Sequence, residues 1–196
     1  MKIIALIAFA ALLSACSTVA PNSVSSNALG EYTVVQDGTT YTFDGSGGIG
    51  QNGITIRRLY LGTPGVKTGY AYSNADVEVA GGRVGGNNYA VLSGTQTTGM
   101  GTSGTLNLNG LYGLNDNGSF EITSINLTAD LAAGTLTGST PGTNVNGTIT
   151  GATVSGTFDR NGASSTFNGG FYGPAVAPTM AATITGTNLA GILVVD

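Results

Sequence analysis

The chain has 196 residues, of which 41% are hydrophobic and only 8% charged, with 33 glycines, one cysteine, no histidine and a formal net charge of −4. The lack of histidine removes the commonest general base and the commonest zinc ligand, and a single cysteine forbids an intrachain disulfide. Six basic residues scattered through an acidic chain make no surface for a phosphate backbone. The sequence therefore predicts no nucleic-acid partner, no metal, no cofactor and no catalytic residues.

The N-terminus carries the most specific signal. Lys2 precedes an unbroken apolar run from Ile3 to Leu13, too short to span a bilayer and of the right length for a secretory leader. Leu13-Ser14-Ala15-Cys16 follows directly. This stretch resembles the bacterial lipoprotein signal, which implies cleavage after residue 15, lipid on Cys16 and, with Ser17 next, delivery to the outer membrane. Loss of Lys2 with the leader leaves five basic residues against ten acidic ones, a net charge of −5. Several acyl chains anchor a protein stably to a membrane without spanning it. Residues 16–30, rich in serine and asparagine, read as the lipidated cysteine and a flexible tether of about 20 Å reach.

Strand signals begin at Glu31. Tyr32–Val35 and Thr39–Phe43 flank Asp37-Gly38, which suits the positive φ angles of a tight hairpin. Ile54–Leu61 and Val66–Tyr72 are further strands around the turn Thr63-Pro64-Gly65. In Asp76-Val77-Glu78-Val79 the two acids share one face, which predicts a solvated outer side. Arg57-Arg58 beside Tyr60 is a candidate recognition patch, although neighbouring strand residues point to opposite faces. The run Gly81-Gly82-Arg83-Val84-Gly85-Gly86 breaks the composition and predicts a boundary. Residues 31–88 are thus read as an N-terminal β region and 89–196 as a second domain.

Beyond Thr95 the alternation becomes regular. Leu106, Leu108, Tyr112 and Leu114 lead to the turn Asn115-Asp116-Asn117-Gly118. Phe120 and Ile122 then lie on even positions and Ile125, Leu127, Ala129 and Leu131 on odd ones, which predicts a β-bulge between them. Leu136, Val145–Ile149, Val154–Phe158, Ser165–Tyr172, Thr183–Thr185 and Leu189–Val195 complete eight short strands in about 90 residues, a spacing that indicates a sandwich or a barrel. Closure removes edges that this chain has few charges to defend. Two G-x-G-x-x-G matches, Gly45–Gly50 and Gly99–Gly104, open no helix and read as turns.

Phe167-Asn168-Gly169-Gly170-Phe171-Tyr172-Gly173-Pro174 is the densest aromatic stretch. In strand phase Phe167 and Phe171 face the interior, Gly170 lets a neighbouring chain approach, and Pro174, with no N–H to give, ends the strand. With the leader, the run Thr128–Gly138, the Val154-Ser155-Gly156-Thr157-Phe158 repeat and a short apolar last strand, Gly170-Phe171-Tyr172-Gly173-Pro174 resembles the transferrin-binding-protein-B-like surface lipoproteins of Gram-negative bacteria. Residues 175–182 lack the acids and the glycine pair usual after that proline. The resemblance implies an all-β fold, with a C-terminal eight-stranded antiparallel barrel preceded by a smaller β handle. It also implies an outer-membrane, lipid-anchored binding protein, displayed at the cell surface or on the periplasmic face, that recognises a host or environmental protein or a small solute through barrel loops. The alternatives are a carrier of one small apolar molecule inside the barrel, which eight strands can enclose, and a structural envelope lipoprotein. The resemblance covers about half the chain, a single lobe at most, and assigns no ligand-contact residues.

Overall fold

The computed structural model describes residues 21–62 and 65–196. The leader, Cys16 and Thr63-Pro64 lie outside the described residues. Fifteen strands follow in order: β1 (Ser23–Ser26), β2 (Glu31–Gln36), β3 (Thr39–Gln51), β4 (Ile54–Leu61), β5 (Val66–Ser73), β6 (Val77–Val84), β7 (Asn87–Gly94), β8 (Thr105–Asp116), β9 (Ser119–Asp130), β10 (Thr135–Thr140), β11 (Thr143–Thr150), β12 (Thr153–Arg160), β13 (Ala163–Tyr172), β14 (Thr179–Thr185) and β15 (Leu189–Val195). No helix occurs among the described residues. Strands β1–β7 form one antiparallel sheet in chain order, and β8–β15 form a closed eight-stranded antiparallel barrel in which β15 pairs with β8. This is the expected all-β barrel with a smaller β region before it.

Tight turns set the meander. Asp37-Gly38, Asn52-Gly53, Asn117-Gly118 and Asn161-Gly162 each place two successive residues at positive φ, between 47° and 89°. That is the two-residue hairpin conformation whose twist matches the flanking strands, and Asn or Asp before Gly adopts it at least cost.

The division of the chain differs from the sequence reading in two places. Residues 23–26, expected within the tether, are β1, because Val24 is 3% exposed in the core of the first sheet. The glycine-rich run at 81–86 is a strand end and a turn instead of a boundary: Gly81–Val84 complete β6, and Gly85-Gly86 turn the chain into β7. The first sheet therefore continues to Gly94, and the barrel starts at Thr105.

Side-chain bridges curl the first sheet on itself. Val24 N donates to Ser93 Oγ of β7 (2.9 Å), Ser26 N donates to Glu78 Oε1 of β6 (2.8 Å), and Gln36 Oε1 of β2 accepts from Ala90 N of β7 (2.9 Å). Inside the curl lie Val24, Tyr32, Val34, Phe43, Leu59 and Tyr89. Glu78 is thus engaged by β1 rather than solvated.

A second apolar layer joins this sheet to the barrel. Ile54, Ile56, Tyr70, Tyr72, Val77 and Val79 from the sheet meet Leu111, Tyr172, Ala181, Ile192 and Val194 on the outside of the barrel. Glycines let the two backbones touch: a Cβ on Gly81 of β6 would sit 2.4 Å from Gly191 O of β15. A Cβ on Gly113 of β8 would lie 2.7 Å from the Tyr70 ring.

That layer also explains the phase change in β9. The β8–β9 ladder is continuous over twelve pairs, from Thr105↔Asp130 to Asp116↔Ser119, so the expected bulge is absent. Ile125, Leu127 and Ala129 fill the barrel, whereas Phe120 and Ile122 pack outside it against the first sheet. The strand keeps its register while the buried face changes sides. The register shifts that do occur lie between Ser46 and Ile49 in β3–β4 and between Leu59 and Tyr60 in β4–β5. The glycines at 45–50, expected as a turn, form the first of these irregularities inside β3. The Gly99–Gly104 stretch lies in the irregular connection between the two sheets, as expected.

Gly81→Ala is expected to lower the free energy of unfolding by about 1–3 kcal/mol, the usual cost of overpacking. A denaturant titration checks this, with Gly53→Ala, where a Cβ meets nothing within 4 Å, as a control for backbone strain alone.

Candidate binding surfaces around a filled barrel

The barrel interior is a packed core. Leu108, Tyr112, Leu114, Leu127, Phe158, Phe167, Phe171, Met180 and Leu193 meet there, none more than 4% exposed. Tyr112 and Phe158 pack edge to face with ring centroids 5.2 Å apart, the arrangement favoured by the ring quadrupoles. Recognition by this protein is therefore sought at the two ends of the barrel and along the first sheet.

A polar network closes the end formed by the β8–β9, β10–β11 and β12–β13 turns. Arg160 Nε and one of its terminal nitrogens donate to Glu121 Oε2 at 3.1 and 2.7 Å. Glu121 Oε1 accepts from Tyr112 (3.0 Å) and Thr123 (2.7 Å), and the Tyr112 hydroxyl also meets Thr143 Oγ1 at 3.1 Å. Glu121 occupies an interior position of β9, in phase with Ile125 and Leu127. Burial on its own pushes its carboxyl up, but the hydrogen bonds from Arg160, Thr123 and Tyr112 outweigh this and hold it below the ordinary glutamate value.

The opposite end is organised by the aromatic corner. Phe167 and Phe171 are fully buried inside the barrel, while Tyr172 faces out into the layer shared with the first sheet. Gly170 also faces outward: a Cβ there would lie 2.5 Å from Gln96 Nε2 and 2.8 Å from Ala152 O. Thr97 N donates to Phe171 O (2.8 Å) and Thr97 Oγ1 to Gly173 O (2.9 Å). Gly173, at φ +82°, leaves room for the Asp76 carboxylate. The corner thus clasps the connection between the two sheets. Pro174 then opens a loop to Pro178, tightened by Ala177 N donating to Pro174 O (3.1 Å). At its tip Val176 is 93% exposed. Between this loop and the start of β8 runs a groove of about 510 Å³, lined by Leu106, Leu108, Val176, Ala177, Pro178 and Asp196. Burial raises the Asp196 carboxyl above its ordinary value.

A third feature lies where the first sheet meets the β8–β9 turn. Lys67 Nζ sits 4.3 Å from the Phe120 ring centroid and 4.9 Å from that of Tyr70, with a hydrogen bond to the Tyr70 hydroxyl (3.1 Å). Desolvation and the nearby Arg58 charge lower the Lys67 pKa, and burial pushes the Tyr70 hydroxyl up to about 12. Arg83 reaches across to Asn117 Oδ1 (3.2 Å) and to the carbonyls of Asn188 (3.0 Å) and Gly86 (2.8 Å). Both cations hold the junction together.

The arginine pair divides between two surfaces. Arg57 lies opposite Ala71, of the first sheet's interior, and Arg58 lies opposite Tyr70, of the barrel-facing layer. Each donates to a backbone carbonyl, Arg57 to Gly45 O and Arg58 to Gly47 O. They form no shared patch. Sequence reasoning missed the Glu121–Arg160 closure and the Gln96–Thr97 clasp. An acid in phase with interior leucines was the available signal for the first, and the second carried none.

These features define a class of all-β proteins in which a closed, filled barrel is clasped to a curled sheet. Among solved structures, the apo crystal structure of the haemoglobin receptor HpuA from Kingella denitrificans has this fold, with a TM-score of 0.51 and 14% identity over 89% of this chain and 90% of that one. HpuA from the same organism in complex with human haemoglobin gives a TM-score of 0.49 and 12% identity, covering 88% of this chain and 83% of that one. No family model matches the chain, and comparison with curated proteins finds no match.

Glu121 links the closure to pH. Its pKa is lower folded than unfolded, so its stabilisation is complete above the unfolded value and is lost as pH falls through the folded value. Glu121→Gln is expected to cost about 1–2 kcal/mol at neutral pH and to flatten the acid limb of the stability curve. Thermal melts between pH 7 and pH 3 measure both.

Proposed function

We propose that this protein is a lipid-anchored binding protein of the outer membrane that recognises a protein partner through the loop surface at Val176. The filled barrel carries this reading, because packed side chains occupy the space in which a carrier would hold its ligand, and the most exposed large apolar side chain among the described residues, Val176, lies on a loop outside it. A contiguous exposed apolar surface beside a groove marks a site that a protein partner can cover. The leader and Cys16 support the anchor, and the fold shared with a protein named as a haemoglobin receptor supports binding over catalysis. The partner here is a host or environmental protein.

Cys16→Ala is expected to abolish fatty-acid labelling and release the protein from the membrane fraction; persistent labelling removes the anchor from the proposal. Protease treatment of intact cells should digest the domain if it faces outward. For partner capture, the soluble protein has to begin ahead of Ser23, because a start near Leu29 deletes β1. Val176→Asp is expected to weaken capture of any partner about tenfold or more without changing the circular dichroism spectrum. Equal capture by wild type and variant, or a small apolar molecule found inside the barrel by native mass spectrometry, overturns the reading.

A further inference from the structure

The curled first sheet has a mouth of its own, beside the β14–β15 turn and therefore at the other end of the barrel strands from Val176. Where the β2–β3 turn faces the β6–β7 turn, a pocket of about 340 Å³ is lined by Gln36, Asp37, Thr39, Tyr41, Asn87 and Asn88. It is at the low end of the range of about 300–1,000 Å³ for small-molecule sites.

One wall is aromatic. The half-buried Tyr41 ring lies 6.0 Å from Phe43 and 6.3 Å from Tyr89, with interplanar angles of 19° and 29°. Behind it Phe43 and Tyr89 stack at 5.0 Å, and Thr68 fixes the Tyr89 hydroxyl at 3.2 Å. Tyr41 is thus the outer ring of a rigid cluster whose other members are buried.

Apart from Val84 and the buried Tyr89, the remaining lining is polar and carries no cation. The Asn88 side chain turns away from this mouth toward the barrel, its Nδ2 donating to Gly186 O (2.7 Å) and Leu189 O (3.2 Å), while its backbone carbonyl accepts from Gln36 Nε2 (3.4 Å) at the pocket wall. Asp37, on the β2–β3 turn, and Asn87, the first residue of β7, are exposed, and Thr39 lines the pocket with them. An anionic ligand would meet the Asp37 carboxylate with nothing to offset it. A wholly apolar ligand would strand the amides and the carboxylate. A neutral polyol with one C–H face satisfies both the ring and the polar rim.

We propose that this mouth binds a neutral hexose unit, its C–H face on Tyr41 and its hydroxyls shared among Asp37, Thr39 and Asn87. The site stands apart from the Val176 loop, so either can fail without the other.

Saturation-transfer NMR on the full chain in detergent tests it, with D-glucose, D-galactose, D-mannose and N-acetyl-D-glucosamine as probes and N-acetylneuraminic acid as the anionic control. At least one neutral sugar is expected to bind saturably and the acid to bind more weakly. Tyr41→Ala should weaken binding about tenfold, Tyr41→Phe by no more than about twofold, and Asn87→Ala or Asp37→Asn several-fold. Val176→Asp should leave it unchanged. Should Tyr41→Ala not fold, the exposed Asn87 and Asp37 variants decide the matter. A glycoprotein before and after enzymatic removal of its glycans separates a chain-borne sugar from a free one. No saturable signal from any of the four sugars, preference for the acidic sugar, or binding indifferent to the folded Tyr41, Asn87 and Asp37 variants would overturn the proposal.

Discussion

The structure depends on the contact between Gly81 of the first sheet and Gly191 of the barrel. Two β-surfaces normally stack with their side chains between them, about 10 Å apart. Here the absence of a Cβ on both strands brings backbone against backbone at the centre of the layer, and the Ile54, Tyr70, Val79, Ile192 and Val194 side chains close around that point. Gly113 extends the same provision to the Tyr70 ring. The two sheets are joined through shared core, which sets this arrangement apart from two domains on a linker and gives the intervening segment 95–104 a surface on which to be clasped.

The filled barrel distributes the remaining roles. Eight strands enclose a space that side chains can fill, and here phenylalanines, leucines and Tyr112 do so. The polar groups drawn into its ends serve closure: Glu121 and Arg160 at one, the Thr97 clasp at the other. The open features that bear on recognition are peripheral: an apolar loop at one end and an aromatic, amide-rimmed mouth on the first sheet. The chain's low charge favours such surfaces, since few ion pairs compete with hydroxyls, amides and rings for the exterior.

Much of the fold was legible because local chemistry dictates it. Asp37-Gly38, Asn117-Gly118 and Asn161-Gly162 announce hairpins whatever surrounds them, and the alternation from Leu106 to Val195 defines eight strands. The errors have one cause, which is that the sequence does not say what lies against an outer face. The change of phase at Phe120–Ile125 reads as a bulge unless a second sheet is known to cover Phe120 and Ile122. The glycines at 81–86 read as a boundary unless Gly191 is known to press on Gly81. Val24, in a serine-rich stretch, reads as tether until the core of the first sheet receives it. The candidate surfaces were less legible for the same reason, because Asn87 and Tyr41 become neighbours only through the curl of the sheet.

The closing pair β8–β15 has a consequence for how the chain acquires its structure. Every other pairing joins strands adjacent in sequence and can form as soon as both have been made. Strand β15 alone does two distant jobs: it closes the barrel against β8, and it supplies Gly191, Ile192 and Val194 to the layer beneath the first sheet. Without β15 the barrel has two free edges and the first sheet lacks much of the surface it packs on. Docking of β15 therefore completes both units in the same contact, so that a change in this one strand is felt in the barrel and in the first sheet together.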